Sequence, residues 1–213
     1  SSLNQVLRNP AQPLVVLMGG IKIDDKVATL DNLLPDADRV ILGGGLASTF
    51  FAAMGYEVGQ SKISNPALAK RLWRNHKAKL LLPTDVVVAT SLTAKPRVCL
   101  SHQVRANEMI LDIGPESIRK FAAVVKTAKT LVWNGPFGLF ENPRYAFGSK
   151  SWAHILAARC KGIAYGVVGG GETIELIHQA KVWDFIDHVS MGGGAMLEFL
   201  AGKQLPGIKV LEK

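Results

Sequence analysis

Cysteine is scarce in this sequence: Cys99 and Cys160 are the only two, and neither stands in a CxxC pair or beside a histidine at metal-ligand spacing. A disulfide framework and a thiolate metal site are thereby excluded, and both residues read as buried, reduced core thiols. The five histidines form neither HxH nor HExxH, and His178 reads as a partly buried structural residue. Nothing resembles a nucleophile elbow or a serine triad. No apolar run approaches the roughly 20 residues of a membrane span, and residues 1–13 lack the charged, apolar and cleavable regions of a signal peptide. A cytoplasmic location without membrane partners is the expectation. Linkers rich in Pro, Gly or Ser are missing, as are low-complexity tracts and repeats of fixed period. Acidic residues are the minority, 17 against 25 Lys and Arg for a net charge of +8, which suggests anionic partners without separating nucleotides from nucleic acid. The sequence has no basic cluster of five or more, no RNP-like aromatic motif and no Cys/His finger, so nucleic acid is not expected.

What is present is an ordinary globular composition, 48% apolar and 20% charged over 213 residues, long enough for a self-sufficient core. The chain is read as a single domain, 1–213. Short apolar runs at 14–18, 39–42, 79–82, 86–89, 130–133, 163–168 and 188–190 alternate with helical patterns, the signature of an open parallel sheet covered on both faces. Asn65-Pro66 reads as an N-cap and first helical position, with Leu68, Leu72 and Trp73 as the buried stripe. After Pro115, residues Ile118, Phe121, Ala122 and Val125 fall at i, i+3, i+4 and i+7. Trp152, Ile155 and Leu156 mark another helix, and Ile174 with Ile177 one more. Residues 90–107 show no clear period and read as an edge hairpin or long surface loop. The fold class is α/β: a three-layer α/β/α, Rossmann-like open parallel sheet.

Glycine is placed with a purpose. Triplets at 43–45, 169–171 and 192–194 each follow an apolar run and lead into a helix, and Gly19-Gly20 and Asn134-Gly135-Pro136 close two further strands. Bare main chain can approach a phosphate there, and helix N-termini offer unpaired N–H groups with partial positive charge. In an open parallel sheet these loops converge at the carboxyl edge, where ligands bind. Standard fingerprints fail, however. Gly202-Lys203 is followed by Gln204 rather than Ser or Thr, and Gly148-Ser149-Lys150-Ser151 has the wrong order, so no P-loop exists. Gly43-x-Gly45 ends on Ser48 where a dinucleotide fold needs Gly or Ala, which argues against a dehydrogenase.

Taken together, GGIKIDDK (19–26), ILGGGLASTFF (41–51), LPTDVVVA (82–89), LDIGPES (111–117), WNGPFGLFE (133–141), VVGGGET (167–173) and SMGGGAMLEFLAGKQLPGI (190–208) resemble the phosphoglycerate kinase family in order and approximate spacing. The resemblance runs from about Asn9 to Leu211 and covers the C-terminal, nucleotide-binding half of that two-domain enzyme. It implies ATP or ADP with Mg2+ as ligands, a monomer, and transfer of a phosphoryl group between ATP and 3-phosphoglycerate in glycolysis. The N-terminal domain that holds 3-phosphoglycerate has no counterpart in the sequence, so the chain alone is expected to bind nucleotide with little or no turnover. A non-catalytic nucleotide-binding module is the alternative; a nucleic-acid binder rests on net charge alone.

Residue by residue, the resemblance implies that Lys22 follows the phosphoryl group in flight and Lys26 contacts the nucleotide phosphates. Gly20 and Gly44 join the nucleotide site, Asn134 and the turn from Pro136 to Gly138 form its wall, and Glu141 accepts hydrogen bonds from the ribose. Leu111 is the expected apolar contact to the base. Gly170, Gly171, Glu172 and Thr173 resemble the helix start that receives the phosphates, with Glu172 holding Mg2+ directly or through water. Gly192, Gly193 and Gly194 resemble a second amide cluster that meets the migrating group together with Lys22, so that Lys22, Gly170 and Gly193 are the expected catalytic residues. Four positions depart from the family pattern: Glu172 replaces the usual aspartate, Met191 a threonine, Ile21 a small residue and Ile110 a glycine.

Overall fold

An apolar run without polar alternation holds a strand only where both faces are covered, and all five residues of Leu14–Met18 are buried. The computed structural model describes residues 2–203. Its strands are β1 (Leu14–Met18), β2 (Arg39–Leu42), β3 (Leu80–Leu81), β4 (Asp85–Ala89), β5 (Arg97–Leu100), β6 (Met109–Ile113), β7 (Thr130–Asn134), β8 (Tyr165–Gly169) and β9 (His188–Ser190). The α-helices are α1 (Ser2–Arg8), α2 (Asp24–Leu33), α3 (Gly44–Ala53), α4 (Pro66–His76), α5 (Pro115–Val125), α6 (Phe147–Cys160), α7 (Gly171–Gln179) and α8 (Gly193–Leu200). Residues 204–208 of the last sequence motif lie outside the described residues.

Six strands form one parallel sheet in the order β3-β2-β1-β7-β8-β9. This is the doubly wound order, reversing between β1 and β7. One face carries Val15, Leu17, Leu131, Trp133 and Val168 and packs against α5, α6 and α7. The alternate residues Leu14, Val16, Met18, Val132 and Val167 face α2, α4 and α8. The three-layer α/β/α fold expected from the sequence is what forms. Pairing also aligns the strand ends: Met18 stands opposite Leu42 and Asn134, Asn134 opposite Gly169, and Gly169 opposite Ser190. Five glycine-bearing loops therefore leave the sheet from one row.

Residues 86–89 do not join that sheet. β4 pairs antiparallel with β5 and β6 in a separate three-stranded sheet, whose Val86, Val88 and Cys99 pack on Ala47 and Phe51 of α3. The stretch 90–107 contributes its edge strand, and β6 was not anticipated. A strand's own residues do not state its partner's direction, and α3 supplies the apolar cover that a second sheet needs.

Two buried carboxylates fasten the small sheet to the main body by taking helix N-terminal amides. α5 begins at Gly114, which has no capping side chain; Asp85 accepts from Glu116 N at 3.1 Å and Ser117 N at 2.7 Å in its place. Asp112, 1% exposed, accepts from Gly148 N in the first turn of α6 at 2.6 Å and from Ile113 N at 2.9 Å. Gly138 and Gly148 leave room for it, since a Cβ on either would stand 2.2–2.3 Å from its Oδ1. Burial outweighs those two hydrogen bonds and pushes the Asp112 carboxyl up to about 7.

Because that folded-state value lies above the unfolded one, the stability Asp112 contributes is fully present below the ordinary carboxylate range and is lost as pH rises through about 7. Chemical denaturation of the parent chain and Asp112→Asn across that window should show their difference moving against the parent with rising pH, by an amount on the order of 4 kcal/mol. A difference that does not vary with pH would show that this carboxyl is not the titrating group.

Candidate functional site

Where the strand ends align, the loops pack main chain on main chain. Gly19 lies so close to the 134–136 loop that a Cβ on it would stand 2.2 Å from Pro136 O and 2.4 Å from Gly135 O. Hydrogen bonds fix the same contact: Gly19 N donates to Asn134 O at 2.8 Å and Gly20 N to Pro136 O at 3.0 Å. Across the gap between the ends of β8 and β9, a Cβ on Gly193 would stand 2.6 Å from Gly170 Cα, so the starts of α7 and α8 touch without side chains. Two polar side chains complete the lacing. Asn134 Nδ2 donates to Gly169 O at 2.9 Å, and Gly135 N donates to Thr173 Oγ1 at 2.7 Å.

These loops enclose a cleft of about 450 Å³, lined among others by Gly20, Lys22, Lys26, Asn134, Gly170, Gly171, Glu172, Thr173 and Gly193. Its walls include two helix N-termini without a side-chain cap, those of α7 and α8. First-turn N–H groups have no partner within their own helix, so both present donors and the positive end of a dipole to the same space. At Gly171 and Gly194 a Cβ would meet nothing within 4 Å; the bare backbone there borders open space.

Lys26 supplies the charge. It is 8% exposed, lines the cleft, and makes no hydrogen bond or ion pair with the described residues. Burial lowers its pKa, and the Asp25 and Glu172 carboxylates partly offset that. A buried cation without a partner is an unfavourable arrangement that an incoming anion relieves. Lys22 is exposed at the same mouth. Amides, a helix-dipole pair and a desolvated ammonium are groups whose chemistry suits polyanions of phosphate type.

The carboxylates at the cleft, Asp25 and Glu172, are both exposed, and among the described residues no group of three or more His, Cys, Asp or Glu side chains could hold a metal. This donor set suits Mg2+, which keeps several waters and takes one or two carboxylates plus ligand phosphates. A resident all-protein metal cage is a different arrangement.

Not every expected residue reaches the cleft. Gly44, Leu111, Pro136 and Glu141 do not line it. Gly44 packs on Pro136 O and Gly20 behind the loop. Leu111 lies on β6, where its carbonyl accepts from Leu139 N at 2.8 Å, and Glu141 is exposed on the turn that follows. These form a second group around the 137–142 turn. Thr173 does line the cleft, but it is 0% exposed and its hydroxyl oxygen already accepts from Gly135 N, so its side chain holds the 134–136 loop. Asp25 and Leu197 also line the cleft and were not anticipated. Asp25 adjoins Lys26, and Leu197 stands one helical turn beyond Gly193; that one-turn spacing was the available signal.

The phosphoglycerate kinase family profile matches residues 1–203. Phosphoglycerate kinase of Desulfosudis oleivorans is 42% identical over 219 residues, covering 100% of this chain and 54% of that protein. That of Deinococcus radiodurans is 42% identical over 97% of this chain and 51% of its own length. Among solved structures, phosphoglycerate kinase from Coxiella burnetii superposes with a TM-score of 0.92 at 41% identity, covering 99% of this chain and 55% of that one. The enzyme from Pyrococcus horikoshii gives 0.84 at 26% identity over 99% and 54%. The chain spans about half the length of the relatives it matches. With the glycine loops of five of the family's motifs at one sheet edge and the fold shared across nearly all of its length, the chain belongs to the phosphoglycerate kinase family.

Proposed function

We propose that this chain is the nucleotide-binding domain of a phosphoglycerate kinase, holding ATP or ADP with Mg2+. In the longer enzyme it would pass a phosphoryl group between ATP and 3-phosphoglycerate, or from 1,3-bisphosphoglycerate to ADP, as a monomer in cytoplasmic glycolysis. The observation that carries this reading is the convergence of two uncapped helix N-termini and the buried, unpaired Lys26 on one cleft. Phosphoryl transfer needs little covalent help from the protein and much neutralisation of phosphate oxygens. Lys26 would hold the nucleotide phosphates. Lys22, exposed and free to swing, would follow the transferred group, while the amides of Gly170, Gly171 and Gly193 cradle it. Bound Mg2+ would neutralise phosphate charge, and Glu172 would be its carboxylate on this chain. The group around the 137–142 turn would take the nucleoside, with Glu141 accepting from the ribose hydroxyls and Leu111 against the base. The acceptor site would belong to the other half of the relatives' length.

Calorimetry should detect Mg-ADP binding to these 213 residues, while a coupled assay with 3-phosphoglycerate should show at most trace turnover. Affinity should fall as pH rises through the lowered Lys26 pKa, because the phosphates favour its protonated form. Full turnover by this chain, or no heat with Mg-ADP, would contradict the reading.

The two kinds of glycine make a sharper test. Gly171→Ala places a methyl in open space, so melting should move by no more than about 2 °C while Mg-ADP affinity drops by about tenfold. Gly193→Ala drives a methyl into Gly170 and should lose about 1–3 kcal/mol of stability. Equal melting temperatures for the two variants would contradict this assignment of packing and ligand roles.

Glu172→Gln should weaken ADP binding in the presence of Mg2+ and strengthen it with a chelator, since the carboxylate repels phosphates directly and attracts them through the ion. An unchanged dependence on Mg2+ would remove Glu172 from the metal site and leave it as a helix-dipole acid.

A further inference from the structure

The cleft's two sides belong to elements far apart in sequence. α2 brings Asp25 and Lys26, and α8 brings Gly193, Gly194 and Leu197. Between these helices run two hydrogen-bonded ties, one from a buried residue and one from an exposed residue. Thr29, 1% exposed, donates its hydroxyl to Leu197 O at 2.8 Å, and Asn32 Nδ2 donates to Leu200 O at 2.7 Å. Thr29 lies one turn beyond Lys26 on α2, and Asn32 nearly one turn further. The carbonyl that Thr29 reaches is that of Leu197, whose residue lines the cleft. Leu200 O sits in the last turn of α8, where carbonyls have no helical partner, so Asn32 also serves as a C-cap from another element. At its other end α8 presses Gly193 against Gly170, with no side chain between to absorb a shift. An eight-residue helix fixed in this way at its start, body and end has one seat.

We propose that Thr29 and Asn32 are positioning residues that set the distance between Lys26 and the Gly193–Gly194 amides, so that one polyphosphate engages both walls of the cleft. This rests on the nucleotide reading above. Neither side chain touches ligand. Thr29 acts through the placement of α8, and Asn32 holds the helix against axial sliding. Donor amides lose their grip on an oxyanion within fractions of an ångström, so a tie remote from the ligand governs affinity for anything spanning the two walls.

Thr29→Val keeps the shape and removes the donor. Leu197 O retains its helical partner, Ala201 N at 2.8 Å, so no buried carbonyl is orphaned and the variant folds. Titration of Mg-ADP and of inorganic pyrophosphate into the parent chain, Thr29→Val and Thr29→Ser, with amide NMR of the glycines, tests the proposal. The valine variant should bind both probes about fivefold more weakly, the size of one neutral hydrogen bond's net contribution. Gly193 and Gly194 resonances should move while Gly44 stays in place, and Thr29→Ser should restore both properties. A valine variant with lowered melting temperature but parental affinity and parental glycine resonances would overturn the proposal, leaving Thr29 as packing alone. If the parent chain bound neither probe, the nucleotide reading would fall, and the Gly193 and Gly194 resonances would still decide whether the tie places α8.

Discussion

Main chain packed directly on main chain is the contact from which the rest of the cleft follows. Gly19 against Gly135, and Gly193 against Gly170, close two gaps between neighbouring loops at distances no side chain permits. Such contacts cannot be relaxed by a rotamer change, so the loops move together or not at all. The strand register makes them possible: with Leu42, Met18, Asn134, Gly169 and Ser190 in one row, each loop departs at the height of its neighbour. A one-residue slip in any pair would turn every side chain of that strand to the opposite face and would also separate the glycines. Core packing and site geometry are thus fixed by the same register.

Around this frame the polar side chains divide into those that hold the loops and those left for a ligand. Asn134, Thr173, Thr29 and Asn32 spend their hydrogen bonds within the protein, and Asp85 and Asp112 do the same at the ends of α5 and α6. Lys26 and the first-turn amides of α7 and α8 have no such partners among the described residues. Burying an ammonium without a counter-charge opposes folding, and the nearby Asp25 and Glu172 soften that opposition. The cleft is therefore left with a positive charge that the protein itself only partly offsets.

Much of this was legible in the residues. Three strands, 14–18, 39–42 and 188–190, form over the expected spans, and the helix after Asn65-Pro66 begins with the expected cap, Asn65 Oδ1 accepting from Leu68 N at 3.2 Å. Long apolar runs and capping pairs are local signals, and local physics decides them. The small sheet was not legible: β4 has the same valine-rich character as a parallel strand, and only the placement of α3 and β6 makes it antiparallel. The roles of Thr173 and Leu111 were equally hidden, because a hydroxyl or a leucine in a motif does not reveal which way it points.

By itself the sequence determined the alternation of strands and helices, the glycines at strand ends, the excess of positive charge and the motifs that tie the chain to its family. Periodicity, backbone freedom and charge are properties of short segments and survive without a partner. Tertiary structure alone decided that five loops leave from one row, that Lys26 is buried, that α8 is tied to α2 across 168 residues of sequence, and that the 137–142 turn does not line the glycine-walled cleft. Each of these depends on which strand pairs with which and in what register, a choice made by burial of the whole sheet that no segment carries alone.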